Sequence, residues 1–437
     1  MTYFEIAYRL LGEYEASGKY VNLSLNSHLT DGLSKENKAL LTALLYKTVE
    51  KKLTYDYYIT ALSKRSMDKI TPEARDALRL GICALLDMKS IPTHAAVNEA
   101  VKLVRRTSER SFVNGVLRSV DRERDRLPLP DKTKNPRKYY SVYYSLPLAT
   151  VKYMISLLGE ESAVAFFEEI NSEERKITLT VNTARISVDD FLKKLTDLGY
   201  NAKKTDYSDI SVSIFGSVDP RVIDGFSEGE FFVQDEASAL AASVLGADEG
   251  ELIIDTCSAP GGKSFALAII SGDKADIRSF DLHDSKISLI SSGAERLGLK
   301  SVKAMAHDAT EPKDELIGMA DAVLCDAPCS GLGVFSKKSD LRYKDITNLS
   351  ELSQLQYRIL LQSSKYLKAG GRLVYSTCTL RREENEDIVE RFLLQNPDFE
   401  ALEFERLNLK SKDGMLTLYP HIHKTDGFFI SKLRKKK

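Results

Sequence analysis

Two thiols in this sequence sit in polar turns, each just past an apolar run. Cys329 follows Val323-Leu-Cys-Asp-Ala-Pro, and Cys378 follows Val374-Tyr-Ser-Thr. Most free cysteines are buried packing residues. Cys83 and Cys325, each embedded in an apolar run, fit that description. Cys329 and Cys378 do not, because they lie beyond strand ends among polar neighbours. Thiols so placed are available for chemistry rather than packing.

A ligand site is expected beside them. Leu252-Ile-Ile254 is a short apolar run closed by Asp255, as for a strand buried on both faces. A turn follows, Thr256-Cys-Ser-Ala-Pro-Gly-Gly262, and then a helical stretch beginning at Ser264. Strand, glycine loop and helix build a ligand crevice at the carboxyl ends of an open α/β sheet. Gly261 and Gly262 let the backbone approach a ligand without a Cβ clash. The dinucleotide pattern G-x-G-x-x-G is absent. Asp281 closes Ile277-Arg-Ser-Phe, at the spacing from the glycine loop where a carboxylate can take ribose hydroxyls. Asp308 follows Ala306-His and could accept an adenine amino hydrogen, although strand-end aspartates also cap helices. Together they point to a nucleoside ligand without a pyrophosphate.

The elements that position these residues follow from periodicity. From 231 onward, strands are expected at 251–255, 277–281, 301–307, 321–326 and 371–377, with helices between them, and further strands at 399–404, 415–420 and 427–433. This predicts a Rossmann-like α/β domain over 231–437, with a mostly parallel seven-stranded sheet and an antiparallel edge. Residues 1–127 carry apolar residues at three- and four-residue spacing and predict an all-helical bundle, with helices at 3–14, 36–60, 71–88, 94–105 and 111–124. Pro72 behind Thr71 reads as a capped helix start, and Thr93 as the cap of the next helix. The proline- and lysine-rich stretch 128–140 reads as a linker. Residues 141–230 read as a small α+β module, with helices at 148–158 and 161–170, strands at 177–182 and 212–215, and a helix at 188–198 closed by Gly199.

Charge divides the chain. Residues 1–140 hold 25 Lys and Arg against 17 Asp and Glu, a net of +8, within a whole that nets −1. A basic front suggests contact with a polyanion. Arg105, Arg106, Arg110, Arg118, Arg122, Arg124 and Arg126 crowd the later helices, with fork geometry suited to phosphates. No apolar run reaches the ~20 residues of a membrane helix, and no basic-then-apolar leader opens the chain. Five cysteines without a C-x-x-C pair argue against a zinc site or disulfide frame. A cytoplasmic protein is expected, with no metal and no obligate protein partner.

Three motifs carry a resemblance. Asp255-Thr-Cys-Ser-Ala-Pro-Gly-Gly-Lys-Ser264, Asp326-Ala-Pro-Cys329 and Ser376-Thr-Cys378 resemble those of S-adenosylmethionine-dependent RNA cytosine-5 methyltransferases. His94-Ala-Ala-Val-Asn-Glu-Ala-Val-Lys102 and Ser111-Phe-Val-Asn-Gly-Val-Leu-Arg118 resemble the NusB-like RNA-binding fold. Front and back together are similar to the RsmB (Sun/Fmu) branch, which acts on 16S ribosomal RNA. The resemblance implies that Cys378 adds to C6 of cytosine so that C5 can take the methyl group. It implies that Asp326 holds the base near N3 and that Cys329 assists release. It also implies that Cys257, Ser258, Ala259, Pro260, Gly261, Gly262 and Lys263 line the methionine part of the cofactor, with Lys263 near the reacting centre. Asp281 would bind ribose and Asp308 adenine. The implied partner is 16S ribosomal RNA or an early small-subunit intermediate. Departures from the family pattern fall at Ser336-Lys-Lys-Ser339, Thr180 and Leu146.

Other readings compete. A non-catalytic RNA-binding assembly or antitermination factor needs neither cysteine. A cytosine-5 methyltransferase could act on another RNA, such as tRNA. An amino-group methyltransferase needs no thiol, and Asp326-Ala-Pro-Cys329 speaks against it.

Overall fold

The computed structural model describes residues 1–17, 32–174, 176–347 and 349–437. The chain forms two compact units, one of Met1–Asn171 with Lys337–Ile346, the other of Ser172–Ser336 with Thr347–Lys437.

The first unit is helical: α1 Tyr3–Ser17, α2 Lys35–Glu50, α3 Lys52–Ser63, α4 Pro72–Leu86, α5 Thr93–Lys102, α6 Thr107–Arg122, α7 Pro136–Tyr143, α8 Leu148–Leu158 and α9 Glu160–Ile170. Side-chain caps set several starts. Ser34 accepts from Asn37, Thr71 accepts from Ala74 behind Pro72, and Asn135 accepts from Lys138 behind Pro136. The apolar stripe of α4 is the centre of the core, with Leu78, Leu80 and Ile82 fully buried. At Gly81 a Cβ would come within 2.9 Å of both Leu117 and Ala100, so a glycine allows α4 to approach α5 and α6 closely. Arg79 is buried in this core and pairs with Asp56, Asp76 and Glu15.

Four expectations change here. The helix expected over 36–60 breaks at Lys51, whose ψ of 17° leaves the helical region and starts α3 separately. Thr93 is the first residue of α5 and makes no cap bond; its hydroxyl accepts instead from Arg124. The second half of the expected linker is helical, because Asn135 and Pro136 initiate α7. The helices expected at 148–158 and 161–170 belong to the helical unit rather than to an α+β module. Local periodicity identifies a helix but not the core it joins.

The second unit holds two main sheets. The smaller is antiparallel in the order β2-β3-β1-β4, built from β1 Lys176–Val181, β2 Ala202–Lys204, β3 Ser211–Phe215 and β4 Phe231–Val233. Helix α10 Val188–Asp197 covers it through Phe191 and Leu195. The chain then enters α11 Glu236–Leu245, β5 Leu252–Asp255, α12 Gly262–Ile270, β6 Asp276–Asp281, α13 Asp284–Leu297, β7 Val302–Ala306, β8 Ala320–Asp326, α14 Ser350–Lys365, β9 Leu367–Thr377 and α15 Glu386–Gln395. The strands β10 Phe399–Ala401, β11 Glu405–Arg406, β12 Leu409–Lys410, β13 Met415–Leu418 and β14 Phe428–Lys435 complete it.

The larger sheet runs β10-β14-β9-β8-β5-β6-β7. From β7 to β9 the pairing is parallel, and β14 returns antiparallel against β9. β10 and β13 share the outer edge of β14. This is the Rossmann-like sheet with an antiparallel edge. Strand order reverses at β5 and β8, so the crevice between their carboxyl ends is the switch point where such sheets bind ligands. No helix among the described residues is long and apolar enough to cross a membrane.

Candidate active site

The register of the sheet brings the expected residues to one edge. Asp255 closes β5, Asp281 closes β6, Asp326 closes β8, and Cys378 follows the last residue of β9. Asp326 lies opposite Ser376 on β9. Past β8, Ala327 is pinned by its N–H to the Ser376 carbonyl at 3.0 Å, and the chain turns so that Cys329 meets Cys378 with sulfurs 3.2 Å apart.

Lys263, at the start of α12, reaches across the switch point. Its ammonium donates to Asp326 at 2.6 Å, and Ser376 donates to the other oxygen of Asp326 at 2.7 Å. Burial works to lower the Lys263 pKa, but Asp326, Asp255 and Cys378 outweigh it and hold the ammonium protonated. The hydrogen bond with Cys378, burial and the Cys378 charge all push the Cys329 thiol well up.

The glycine loop is arranged for a ligand. Ser258 donates its N–H and hydroxyl to the Phe280 carbonyl at 2.7 and 2.9 Å. Gly261 sits at φ 108°, a conformation that favours glycine. Asp281 takes the Ala259 N–H at 3.3 Å and pairs with Lys286 at 3.3 Å, leaving lone pairs for hydroxyls. Gln234 lies against the loop, its side-chain nitrogen 3.3 Å from where a Cβ on Gly262 would be. That nitrogen is buried and has no partner among the described residues, whereas the Gln234 oxygen accepts from Thr180 at 3.0 Å. An orphaned donor at a glycine loop, with a hydroxyl-binding carboxylate one strand away, fits a ligand with a carboxylate at one end and a ribose at the other. S-adenosylmethionine is such a ligand.

Asp255 is fully buried, accepts from Ser264 at 2.7 Å and leaves its second oxygen without a partner among the described residues. Burial pushes its carboxyl up to about 7, with Asp326 adding to the rise and Ser264 opposing it. Cys257 is half-buried beneath the loop, and burial drives its thiol well up, as for a packing residue. Cys83 and Cys325 are buried, and both thiols are pushed up to about 12, again by burial. Asp308 is exposed and has one oxygen engaged by the N–H and hydroxyl of Thr310, which lower its pKa. No hydrogen bond joins Asp308 to the glycine loop or the cysteines among the described residues.

Residues outside the motifs hold the two cysteines. Glu384 is fully buried and accepts from the Ser330 N–H at 2.9 Å, from the Ser330 hydroxyl and from Gln356 at 3.0 Å. Gln356 also donates to the Pro328 carbonyl at 2.9 Å, so Cys329 is braced on both sides. Asn385 accepts from the Thr377 hydroxyl at 2.6 Å and donates to the Thr379 carbonyl at 3.0 Å, spanning Cys378. Gly333 donates to the Cys378 carbonyl at 3.0 Å and packs on Gly427, whose carbonyl leaves no room for a Cβ. Sequence reading missed Glu384, Asn385, Gln356 and Gln234. The polar run Arg381-Arg-Glu-Glu-Asn-Glu-Asp387, so close to Cys378, was the one available signal.

Comparison with known proteins identifies the family. Residues 242–434 match the family model described as 16S rRNA methyltransferase RsmB/F, and residues 4–122 match the NusB family. The chain is 35% identical to a probable ribosomal RNA small subunit methyltransferase B of Bacillus subtilis, covering 99% of this chain and 98% of that one. It is 31% identical to a probable ribosomal RNA small subunit methyltransferase B of Synechocystis, covering 99% of each. Among solved structures, PH0851 superposes with a TM-score of 0.83 at 26% identity, covering 100% of this chain and 99% of that one. A methyltransferase homolog from Pyrococcus horikoshii gives 0.59 at 27% identity, over 68% and 97% of the two chains. A paired-thiol centre at a Rossmann-like switch point, a NusB domain in front of it and full-length similarity to these enzymes lead to one conclusion: this chain belongs to the RsmB/F family of 16S rRNA methyltransferases.

Proposed function

We propose that the protein transfers a methyl group to C5 of a cytosine in 16S ribosomal RNA through a covalent bond between Cys378 and C6. The observation that carries this reading is the meeting of Cys329 and Cys378 beside the Lys263–Asp326 pair. S-adenosylmethionine supplies an electrophilic methyl group on a sulfonium; Cys257 to Lys263, Gln234 and Asp281 are the residues that would hold it, with Asp308 on the adenine side.

C5 of cytosine is a weak nucleophile. Addition of the Cys378 thiolate to C6 gives C5 enamine character, so that it can take the methyl group. Asp326 meets the base edge. As a carboxylate it accepts from the N4 amino group, and with a proton taken from solvent it donates to N3 while C6 is attacked. After the methyl group has moved, Cys329, its own proton given up to solvent, takes the proton leaving C5 as the C6–Sγ bond breaks and Cys378 returns as thiolate. The target base must leave its stack to reach the crevice. The helical front, 1–127, serves as the RNA-docking domain, and 231–437 carries the chemistry.

The test is methyl transfer from labelled S-adenosylmethionine to unmodified small-subunit RNA, as naked RNA and as partly assembled particles, mapped by bisulfite sequencing. One protected cytosine that disappears with Cys378→Ala supports the reading. Methylation at another atom, or full turnover by Cys378→Ala, overturns it.

A further inference from the structure

Helix α7 and the turn before it carry a feature that the methyl-transfer chemistry does not use. Tyr139 and Tyr143, one helical turn apart, stack with centroids 5.4 Å apart and planes 13° from parallel. Tyr144 meets Tyr143 edge-on at 4.9 Å. Tyr143 is nevertheless 52% exposed. The other two tyrosines of this segment are committed to the core: Tyr140 and Tyr144 are buried, with hydroxyls bonded to Glu160 and Glu168. Tyr143 is thus a flat apolar surface held rigid by two neighbours and turned to solvent.

Its surroundings are cationic. The Lys132 ammonium lies 5.5 Å from the Tyr139 ring centroid and 5.7 Å from that of Tyr140. Residues 122–138 hold seven Lys and Arg against three Asp and Glu, a net of +4, and all seven basic residues are exposed. Tyr58 of α3 is near enough to Tyr139 and Tyr143 to feel their charge, and with Lys51 and Arg124 it lines an open depression of about 290 Å³.

We infer that Tyr143, backed by Tyr139, is a stacking platform for an unpaired base of single-stranded RNA, with Lys132 and the basic residues around it on the flanking phosphates. A base offers its face only when unpaired, and any base stacks on an aromatic ring, so such a platform reads strandedness rather than sequence. A rigid tyrosine loses little entropy on binding. Charge complementarity selects a polyanion over an apolar protein surface. This rests on the chain acting on RNA, and it names a contact outside the crevice.

The test is direct binding of labelled single-stranded oligoadenylate and of a labelled RNA duplex, without methyl transfer, so that it is separable from any failure of the cytosine-5 chemistry. Tyr143→Ala should weaken single-strand binding between about 5- and 150-fold, the range for loss of one stacked base. Tyr143→Phe, which keeps the ring, should bind as the wild type does, and duplex affinity should not change. Tyr143→Ala should leave the dependence on salt unaltered, whereas Lys132→Gln should reduce that slope by about one. Melting curves check that each variant folds. Unchanged single-strand affinity in a folded Tyr143→Ala, an equal loss in Tyr143→Phe, or an equal loss on duplex RNA overturns the inference.

Discussion

Cys329 and Cys378 share one hydrogen-bonding contact, sulfur to sulfur at 3.2 Å, although 49 residues separate them in the chain. The hydrogen bond with Cys378 and burial push the Cys329 thiol well up. In the proposed reaction Cys378 adds to the base and Cys329 assists release, so in Cys329→Ala addition should proceed and elimination stall. The expected result is a protein–RNA adduct that survives a denaturing gel, with turnover close to zero. The double variant Cys329→Ala, Cys378→Ala should form no adduct. Free turnover by Cys329→Ala without an adduct would show that the second thiol has no part in release.

The turn that carries Cys329 is held by groups outside the three sequence motifs. Glu384 holds Ser330 and Gln356 with a fully buried carboxylate. In Glu384→Gln the amide N–H either faces the Ser330 and Gln356 N–H donors, where an unsatisfied donor costs about 1–3 kcal/mol, or takes the other place, where the Ser330 hydroxyl must turn to accept it and the charge that held the turn is lost. Turnover should fall between about 10- and 100-fold, since a small displacement of a reacting group has effects of that size. S-adenosylmethionine affinity should be unchanged, because Glu384 braces the cysteine loop and not the glycine loop. Calorimetric titration of the cofactor beside single-turnover kinetics separates the two. Loss of both together would mean a general structural role.

How much of this could be read beforehand depends on whether a residue acts where its own segment puts it. Asp255, Asp281 and Asp326 were legible because each closes an apolar strand, and strand ends in a parallel sheet share one edge. Cys329 and Cys378 were legible because polar turns do not need buried thiols. Glu384 and Asn385 were not, since a run such as Arg381–Asp387 is charged along its length and nothing local says which carboxylate turns inward. Asp308 has the right spacing, but Thr310, two residues on, takes one of its oxygens. The departures from the family pattern also needed the structure. Thr180 is buried and bonds Gln234, Leu146 is in the helical core, and Ser339 is buried in a segment that belongs to the helical unit.

Asp255 should leave a signature in the pH dependence of stability. Its carboxyl is raised to about 7 by burial, against about 3.9 when unfolded. Between those values the folded protein binds more protons than the unfolded chain, so its stability declines as pH rises through the window. The contribution is fully present below about pH 4 and lost as pH passes through about 7, at no more than about 1.4 kcal/mol per unit. Asp255→Asn keeps an oxygen for Ser264 and cannot ionise. The variant should therefore gain on the wild type from pH 5 to pH 8 in denaturant melts. A gap between the two proteins that is the same at both pH values would mean that Asp255 is ionised in the fold at both.

Arg342 is buried to 1% exposure in the helical unit, far in sequence from its neighbours there. It donates to the Asn171 side chain at 2.8 Å and to the Ile170 carbonyl at 2.7 Å, and burial lowers its pKa. The adjacent Tyr343 hydroxyl donates to the Glu50 carbonyl at 2.8 Å and lies 2.9 Å from the Ser145 hydroxyl. Lys337–Ile346 is thus held by directed bonds to the ends of α2 and α9, beside the packing of Tyr343 on the helical core. Arg342→Met fills a similar volume but removes the donor to the buried Ile170 carbonyl, at about 1–3 kcal/mol, and to the half-buried Asn171 side chain. The segment should become cleavable by protease, and the melting temperature should fall by several degrees. Arg342→Lys should recover only part of the loss, because one ammonium lacks the planar fork that meets two acceptors at once. Full protection from cleavage in Arg342→Met would show that apolar packing alone anchors the segment.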